Sequence, residues 1–455
     1  MNSHSSHRPT RSPKRETAPP EGNTESVTTS GPQFAETSPT PDPSKFRVKH
    51  GSDKQAYSIL DREAGALEPR PFPVVRDTEP VLKLEDAIGG KEGSDVVSAI
   101  NKAKQLVFHA VGDTGNTRGP KDQSEVADKM VADYDDPDPR SVPSFFYHLG
   151  DVVYSFGEDQ YYYDQFYDPY RDYPAPIFAI PGNHDGMVSP LSTTPSLQAF
   201  IENFCTAGQP VHRPPESGGL VRTAQVQPAI YFTLQAPFVR ILGLYSNCLE
   251  DPGVISSQGG KYPYLPDSQI DFLKAALTRI KTEPFRGAVI IAVHHPPYVA
   301  QISRDEVETQ SVGRHGGSSL MWAEIDAVCA EIQVWPHAVL SGHAHNYQRF
   351  TRRQADRETP FIVAGNGGHA VVKLTRKGMP TIRVPVVQAA LSNGNDSITF
   401  ESYDDQDFGY LRIVANSLQL RIEYHPASDG ADAKTPDDFV TVEIATHKLM
   451  HFVAH

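Results

Sequence analysis

LVFHAVGDTG, residues 106–115, is an apolar run that ends in a glycine-flanked turn carrying an aspartate. An apolar run of this length, bounded by turn residues, predicts a buried strand. Four more segments have the same form: SFFYHLGDVVY (144–154), IFAIPGNHD (177–185), AVIIAVHHPP (288–297) and HAVLSGHAH (337–345). The pattern therefore predicts five strands, each of which leads into a turn with polar side chains.

Helical patterns lie between these strands. Apolar residues recur at helical spacing in four stretches, which are the second half of 84–104, then 122–134, 268–281 and 322–332. The aromatic run QYYYDQFYDPYRDY (160–173) is interpreted as a further helix that packs its Tyr and Phe residues on the core. Strands that alternate with helices indicate an α/β fold, in which sites gather at the carboxyl ends of strands. We therefore expect the five turns to meet at one edge.

The ends of the chain differ in composition from its middle. Residues 1–56 are rich in Ser, Thr, Pro and Glu and predict a disordered tail. From residue 57 to 455 the sequence predicts a single globular domain with a motif-bearing core at 105–447. After residue 361 alternating apolar and polar residues predict strands that complete a second sheet of that domain.

Charge, cysteine content and hydropathy limit the partners and the compartment. The formal net charge of −14 makes a broad nucleic-acid-binding face unexpected. No apolar segment is long enough to span a bilayer, and no apolar region follows the basic residues near the start, so we expect neither a membrane span nor a secretory signal. The three scattered cysteines form no disulfide pattern. Together these features predict a cytoplasmic protein.

The polar side chains of the five turns form a consistent donor set. They are oxygen donors and imidazoles, with no thiolate among them, which suits two first-row metal ions sharing a site and does not suit a structural zinc. The candidate ligands are Asp113, Asp151, Tyr154, Asn183, His294, His343 and His345.

The ordered set GDTG, GDVVY, GNHD, VHHPP and GHAH resembles the calcineurin-like metallophosphoesterases, and within them the purple acid phosphatase branch. Gly115 stands where many members carry a histidine ligand, and Tyr154 matches the tyrosine that this branch uses instead. GHAHNYQR (342–349) is also similar to that branch. The resemblance implies a four-layer α/β/β/α sandwich with two mixed β-sheets.

The same resemblance implies a ligand assignment. One ion would take Asp113, Tyr154 and His345, and Asp151 would bridge it to the second ion. That second ion would take Asn183, His294 and His343. Two divalent ions would leave a cage with two carboxylates and a phenolate neutral once a hydroxide bridges them, whereas a trivalent and a divalent ion would leave it positive for a phosphate dianion. We therefore expect Fe(III) with Fe(II), Zn or Mn.

The implied reaction is hydrolysis of phosphate monoesters of small molecules, as in an acid phosphatase. A metal-bridging hydroxide would attack phosphorus in line, with His184 assisting the leaving group and Asp185 orienting that imidazole. His295 and Arg304 are candidate substrate contacts. Arg304 stands where plant-type relatives keep a histidine, and they also carry an amino-terminal β-sandwich that has no counterpart here, so substrate preference does not carry over.

Two other functions remain open on the sequence. The same cage could serve a phosphodiesterase that acts on cyclic nucleotides or glycerophosphodiesters. The fold could also serve as a non-catalytic scaffold for protein partners, although the chain keeps all seven candidate ligands and His184. The GDVVYSFG segment does not match the arginine-bearing motif of the protein phosphatases.

Overall fold

The computed structural model describes residues 68–189, 192–205, 226–303, 306–308, 316–354, 356–374, 381–388, 396–429 and 435–450. The predicted disordered tail, residues 1–56, lies outside these ranges. Among the described residues, no helix combines the length and the apolar character that crossing a bilayer requires.

Two mixed β-sheets form the centre of the molecule. The described strands are β1 Val81–Lys83, β2 Leu106–Val111, β3 Phe146–His148, β4 Ile177–Ala179, β5 Phe232–Ala236, β6 Val239–Leu244, β7 Ala288–Val293, β8 Gln301–Ser303, β9 Glu306–Glu308, β10 Ala338–Ser341, β11 Tyr347–Gln354, β12 Arg357–Ala364, β13 Val386–Gln388, β14 Ser397–Asp404, β15 Gly409–Ala415, β16 Gln419–Pro426, β17 Asp438–Glu443 and β18 Lys448–Leu449. A nine-stranded sheet has the order β1-β5-β6-β7-β10-β12-β11-β14-β13, and a seven-stranded sheet has the order β18-β17-β16-β15-β2-β3-β4.

Helices flank the two sheets. The described α-helices are α1 Leu84–Ile88, α2 Gly90–Ala103, α3 Lys121–Ala132, α4 Asn183–Gly186, α5 Gln198–Phe204, α6 Ser268–Thr282 and α7 Ser319–Ile332. Helix α3 packs Val126 and Met130 toward the outer face of the seven-stranded sheet, while α6 and α7 pack toward the nine-stranded sheet. The predicted four-layer sandwich with two mixed sheets is confirmed.

Alternation along the strands builds the layer between the sheets. Successive strand residues point to opposite faces. In β7, Ile290 and Ala292 lie in the buried cluster that both sheets share, whereas Ile291 and Val293 pack with the helices outside. Because both faces of β7 are covered, its sequence reads as an unbroken apolar run. Strand β2 is also covered on both faces, since every residue in it is buried, including His109.

The five motif strands divide between the sheets. Strands β2, β3 and β4 are parallel neighbours in the seven-stranded sheet, and β7 and β10 are parallel neighbours in the nine-stranded sheet. Each is followed directly by its polar turn, as predicted. The strands after residue 361 join both sheets: β15 pairs antiparallel with β2, while β14 pairs with β11.

The aromatic run at 160–173 is less regular than predicted. It forms a 3-10 turn, Asp159–Tyr161, and a π-helical turn, Tyr163–Tyr167, in place of one continuous α-helix. Its aromatic side chains do pack on the core, since Tyr162, Phe166 and Tyr170 are fully buried. The wider π turn leaves the side chain of Gln165 buried beside the second motif.

Candidate metal centre

The turns after the motif strands hold unusual backbone conformations. Asp113, Asp151 and His343 have φ values of 57°, 55° and 67°, in the left-handed region that few non-glycine residues adopt. Backbone hydrogen bonds tie the turns to one another: the amide of Asp113 donates to the Gly150 carbonyl at 2.9 Å, and that of Gly342 donates to the His294 carbonyl at 3.0 Å. The polar side chains of separate turns are thereby brought to one place.

A first trio of donors forms around Asp113. The Tyr154 hydroxyl donates to Asp113 Oδ1 at 3.1 Å and lies 3.3 Å from His345 Nε2. His345 Nε2 is also 3.3 Å from Asp113 Oδ1. The other carboxylate oxygen of Asp113 accepts the backbone N–H of His343 at 2.8 Å. Three donor atoms therefore converge at distances short enough to share one ion.

A second trio forms around the amide oxygen of Asn183. His294 Nε2 lies 3.1 Å from Asn183 Oδ1, and His343 Nδ1 lies 3.0 Å from the same oxygen. His294 Nδ1 donates to the Leu149 carbonyl at 2.8 Å, which turns Nε2 toward the trio. His343 presents Nδ1 while its Nε2 lies 3.5 Å from Asp251 Oδ1. Asp251 was not anticipated from the sequence.

Asp151 lies within reach of the second trio and of Asp113. One of its oxygens accepts the backbone N–H of His184 at 2.9 Å, and the other lies 3.4 Å from His294 Nε2. That second oxygen is buried and has no hydrogen-bond partner among the described residues. Ligand atoms of Asp113, Asp151 and His294 all lie within 4.8 Å of one another. A buried carboxylate oxygen left unsatisfied among imidazoles fits a metal ligand.

The electrostatics of this cluster also fit cations. Burial, together with Asp113 and Asp151, raises the pKa of the Tyr154 phenol well above 10. Burial alone would lower the pKa of His294, but Asp151 and Asp113 raise it to about 9. In the metal-free protein Tyr154 and His294 therefore carry protons, and a metal ion would displace those protons when it binds. The mixture of carboxylate, phenol, amide and imidazole groups fits bound metal ions.

The position of Tyr154 depends on Gly115. A Cβ added at residue 115 would lie 2.5 Å from the Val152 carbonyl oxygen and 3.2 Å from Tyr154 Cδ2. A side chain at residue 115 and a tyrosine at 154 would therefore compete for one space. Gln165 holds the Tyr154 backbone from the other side, because its amide accepts from the Tyr154 N–H and donates to the Tyr154 carbonyl, each at 2.9 Å.

His184 and Asp185 follow Asn183 in the short helix α4. His184 Nδ1 donates to the Ser155 carbonyl at 2.8 Å, and the ring is 6% exposed. The carboxylate of Asp185 accepts backbone N–H groups from Val152, Val153 and Gly182. These contacts assign Asp185 to holding the two turns together, and Ser155 takes the place beside His184 that the sequence suggested for Asp185.

The two residues suggested as substrate contacts are His295 and Arg304. His295 is fully buried, with Nε2 donating to the Leu249 carbonyl at 2.7 Å and Nδ1 2.6 Å from Ser246 Oγ. Its ring packs against His343 at a centroid distance of 4.3 Å. Both ring nitrogens of His295 are therefore engaged, and its ring supports the candidate ligand His343. Arg304 lies outside the described residues.

Two histidines beside the site were missed. His148 Nε2 lies 2.8 Å from Thr114 Oγ1 and joins the first two motif turns beneath the donors. His369 stacks on the Tyr154 ring at 3.6 Å between centroids. A signal for His369 did exist: GNGGH (365–369) follows strand β12 as a glycine-marked turn, which is the form of the five predicted motifs.

Comparison with known proteins gives the family. Residues 106–347, more than half of the chain, match the model of the calcineurin-like phosphoesterases. A comparison with curated proteins finds no match. Solved structures that resemble this one include GAP50, the anchor in the inner membrane complex of Plasmodium, with 14% identity and a TM-score of 0.45, covering 75% of this chain and 89% of that one.

PhoD is another solved structure that resembles this one, with 12% identity and a TM-score of 0.44, covering 76% of this chain and 71% of that one. The family match agrees with the motif order and with the buried Asp113, Asp151 and His294 group. It suggests a metal-dependent phosphoester hydrolase. The chain belongs to the calcineurin-like phosphoesterase family.

Proposed function

We propose that this protein hydrolyses phosphate monoesters of small molecules with two metal ions. The observation that carries the proposal is the convergence of two donor trios. Each trio has contacts of 3.0 to 3.3 Å, and the Asp151 carboxylate lies within reach of both. A carboxylate has two oxygens, which allows one residue to bind both ions of a two-metal site.

The residues divide between the ions as follows. Asp113, Tyr154 and His345 would hold one ion, Asn183, His294 and His343 would hold the other, and Asp151 would be shared. When bound, the ions would supply a water of lowered pKa and positive charge against the phosphate oxygens. The protein supplies the rigid turns that fix the donors before substrate arrives.

In this proposal His184 gives a proton to the leaving oxygen. Its Nδ1 donates to the Ser155 carbonyl, which fixes the orientation of the imidazole ring. Burial alone would lower the pKa of His184, but the charges of Asp151 and Glu250 raise it above its usual value. A raised pKa favours the protonated imidazole, which suits a general acid for a departing alkoxide.

For the metals we propose Fe(III) with Fe(II), Zn or Mn. Asp113, Asp151 and an ionised Tyr154 carry three negative charges, so two divalent ions leave the cage at +1 while a trivalent and a divalent ion leave it at +2. A dianionic monoester gains more from the second arrangement. Aerobically purified protein should then show visible tyrosinate-to-iron absorption, and iron-containing protein without that absorption would contradict the assignment.

The decisive experiment is a substrate panel on protein of measured metal content. We expect about two ions per chain and faster hydrolysis of aryl phosphate monoesters than of matched diesters. Asn183→Ala should lose metal, whereas His184→Ala should keep it and lose turnover. A strong diester preference would favour the phosphodiesterase alternative, and protein that binds no metal would favour a scaffold.

A further inference from the structure

His369 reaches the candidate centre from outside the five motifs. It lies five residues after β12, in the glycine-rich turn 365–369. Its backbone N–H donates to the Asp113 carbonyl at 2.9 Å, and its Nδ1 donates to the Gly115 carbonyl at 2.8 Å. The residue is therefore tied at two points to the turn that carries Asp113.

The ring of His369 covers a face of the Tyr154 phenol. The two ring centroids are 3.6 Å apart, and the planes are 10° from parallel. Stacking at this distance leaves no room for water between the rings. The same imidazole lies 5.1 Å from the His345 ring at a steep angle of 71°. It contacts one donor of the first trio and lies beside another.

The turn that carries His369 is itself braced. Arg118 Nη2 donates to the His369 carbonyl at 2.6 Å, and Asn116 Nδ2 donates to the Gly368 carbonyl at 2.7 Å. The amide of Gly367 donates to the Gly112 carbonyl at 3.1 Å. These bonds join the turn to residues on both sides of Asp113. Hydrogen bonds to its own turn therefore fix the position of the His369 ring, in addition to the packing of the ring.

A tyrosine ligand needs such a neighbour. Rotation about its side-chain bonds would swing the hydroxyl away from Asp113 and His345, and Gly115 offers no side chain to prevent it. We propose that His369 is a positioning residue for Tyr154, and that its stacked imidazole sets the affinity of the ion held by Asp113, Tyr154 and His345. The inference rests on the proposed function, in which Tyr154 binds metal.

The test is a Zn²⁺ titration of metal-stripped full-length protein against a chromophoric chelator. The wild type should bind two ions. His369→Ala should weaken one of the two sites by about tenfold, the usual scale for losing a partner that orients a ligand, and should leave the other site unchanged. His369→Phe keeps a stacking ring and should retain most of the affinity.

His447 offers a matched control. Its ring also stacks, on His337 at 3.9 Å between centroids, but His337 precedes strand β10 whereas the ligand His343 follows it. His447→Asn, chosen because asparagine tolerates the φ of 52° there, should leave both Zn²⁺ affinities unchanged. Thermal unfolding of the metal-free variants would show whether His369→Ala has merely destabilised the fold.

The outcomes separate the two proposals. If Tyr154→Phe weakens one site and His369→Ala leaves both at wild-type affinity, the role of His369 is wrong while the ligand assignment stands. If His369→Ala weakens both sites equally, its role is general to the fold and the inference also fails. If Tyr154→Phe itself has no effect, the proposed ligand set is wrong.

Discussion

The two sheets supply different chemistry to the centre. The turns of the seven-stranded sheet carry all of the oxygen donors, Asp113, Asp151, Tyr154 and Asn183. The turns of the nine-stranded sheet carry all of the imidazoles, His294, His343 and His345. Each donor trio combines both kinds. The centre is therefore assembled only where the sheets pack together, and each proposed ion would join one sheet to the other.

This division explains why the site needs a packed core before it can exist. Oxygen donors alone would form an acidic cluster of low selectivity, and imidazoles alone would bind a softer ion at a closed site. The inter-sheet cluster, which includes Phe108, Ala110, Ile290 and Leu340, holds the two sets of turns at a fixed separation. Substituting a single ligand therefore tests the packing of the two sheets as well as the chemistry of the site.

The largest effect is expected at Asp151, the proposed shared ligand, which lies among the oxygen donors of the seven-stranded sheet. Asp151→Ala should remove both ions, because it takes away the one ligand that the two proposed ions share. Loss of a partner that only orients a metal ligand costs about 10 to 100-fold in metal affinity or activity, so loss of the shared ligand itself should cost more than about 100-fold in turnover. Metal analysis and phosphatase assays measure it. An Asp151→Ala protein that retains one tightly bound ion would show that Asp151 does not bridge.

The next effect compares the sheets directly. Tyr154→Phe and His345→Ala lie on different sheets but in the same trio, so both should lose the same single ion. Asn183→Ala and His294→Ala should both lose the other. Titration of each stripped variant with Zn²⁺ gives the pattern. If the variants lose ions according to their sheet and not according to their trio, the assignment of donors to ions is wrong.

A smaller effect is expected at Asp251, which lies 3.5 Å from the far nitrogen of His343. A carboxylate there orients the ring so that Nδ1 faces the ion. Asp251→Asn should weaken the site of Asn183, His294 and His343 by about tenfold and spare the first site. The neighbouring Glu250→Gln change is the control. Equal weakening by both changes would indicate a general charge effect.

The subtlest difference concerns protons. His294, with its pKa raised to about 9, is protonated at neutral pH in the metal-free protein and must lose that proton when an ion enters. Above about pH 9 no such proton remains, so its release should disappear. The Tyr154 pKa is raised well above 10, so its proton should be released throughout.

Isothermal titration in buffers of different ionisation enthalpy counts these protons. The wild type should release about one proton fewer as the pH rises through about 9, and Tyr154→Phe should release about one fewer at every pH. A proton count that does not change across this range would mean that His294 enters the site already neutral. In that case metal binding would release no proton from His294.

Local sequence was sufficient to predict the strands and turns that carry the candidate donors. Strand β2 and the turn with Asp113 are encoded within ten residues, and so are the other four units. The allocation of strands to sheets was not predictable in the same way, because β15 pairs with β2 across some three hundred positions of chain. Helix periodicity also failed at Tyr163–Tyr167, where a π turn replaced an α-helix.

The supporting residues were hidden for a related reason. Gln165, His148 and Asp251 act through contacts with residues of other turns, and nothing in their own sequence neighbourhood marks them. His369 is the exception, since it ends a glycine-rich turn after a strand. A search for strands followed by polar turns, carried past the five named motifs, would have included it.

The left-handed backbone at Asp113, Asp151 and His343 has a further consequence. For most residues this conformation costs about 1 kcal/mol or more, whereas glycine adopts it freely and asparagine and aspartate adopt it more readily than the rest. The carboxylates of Asp113 and Asp151 also accept backbone N–H groups of His343 and His184, so the strain is least offset at His343. Glycine at residue 343 should therefore relieve strain in the metal-free protein while it removes a candidate ligand.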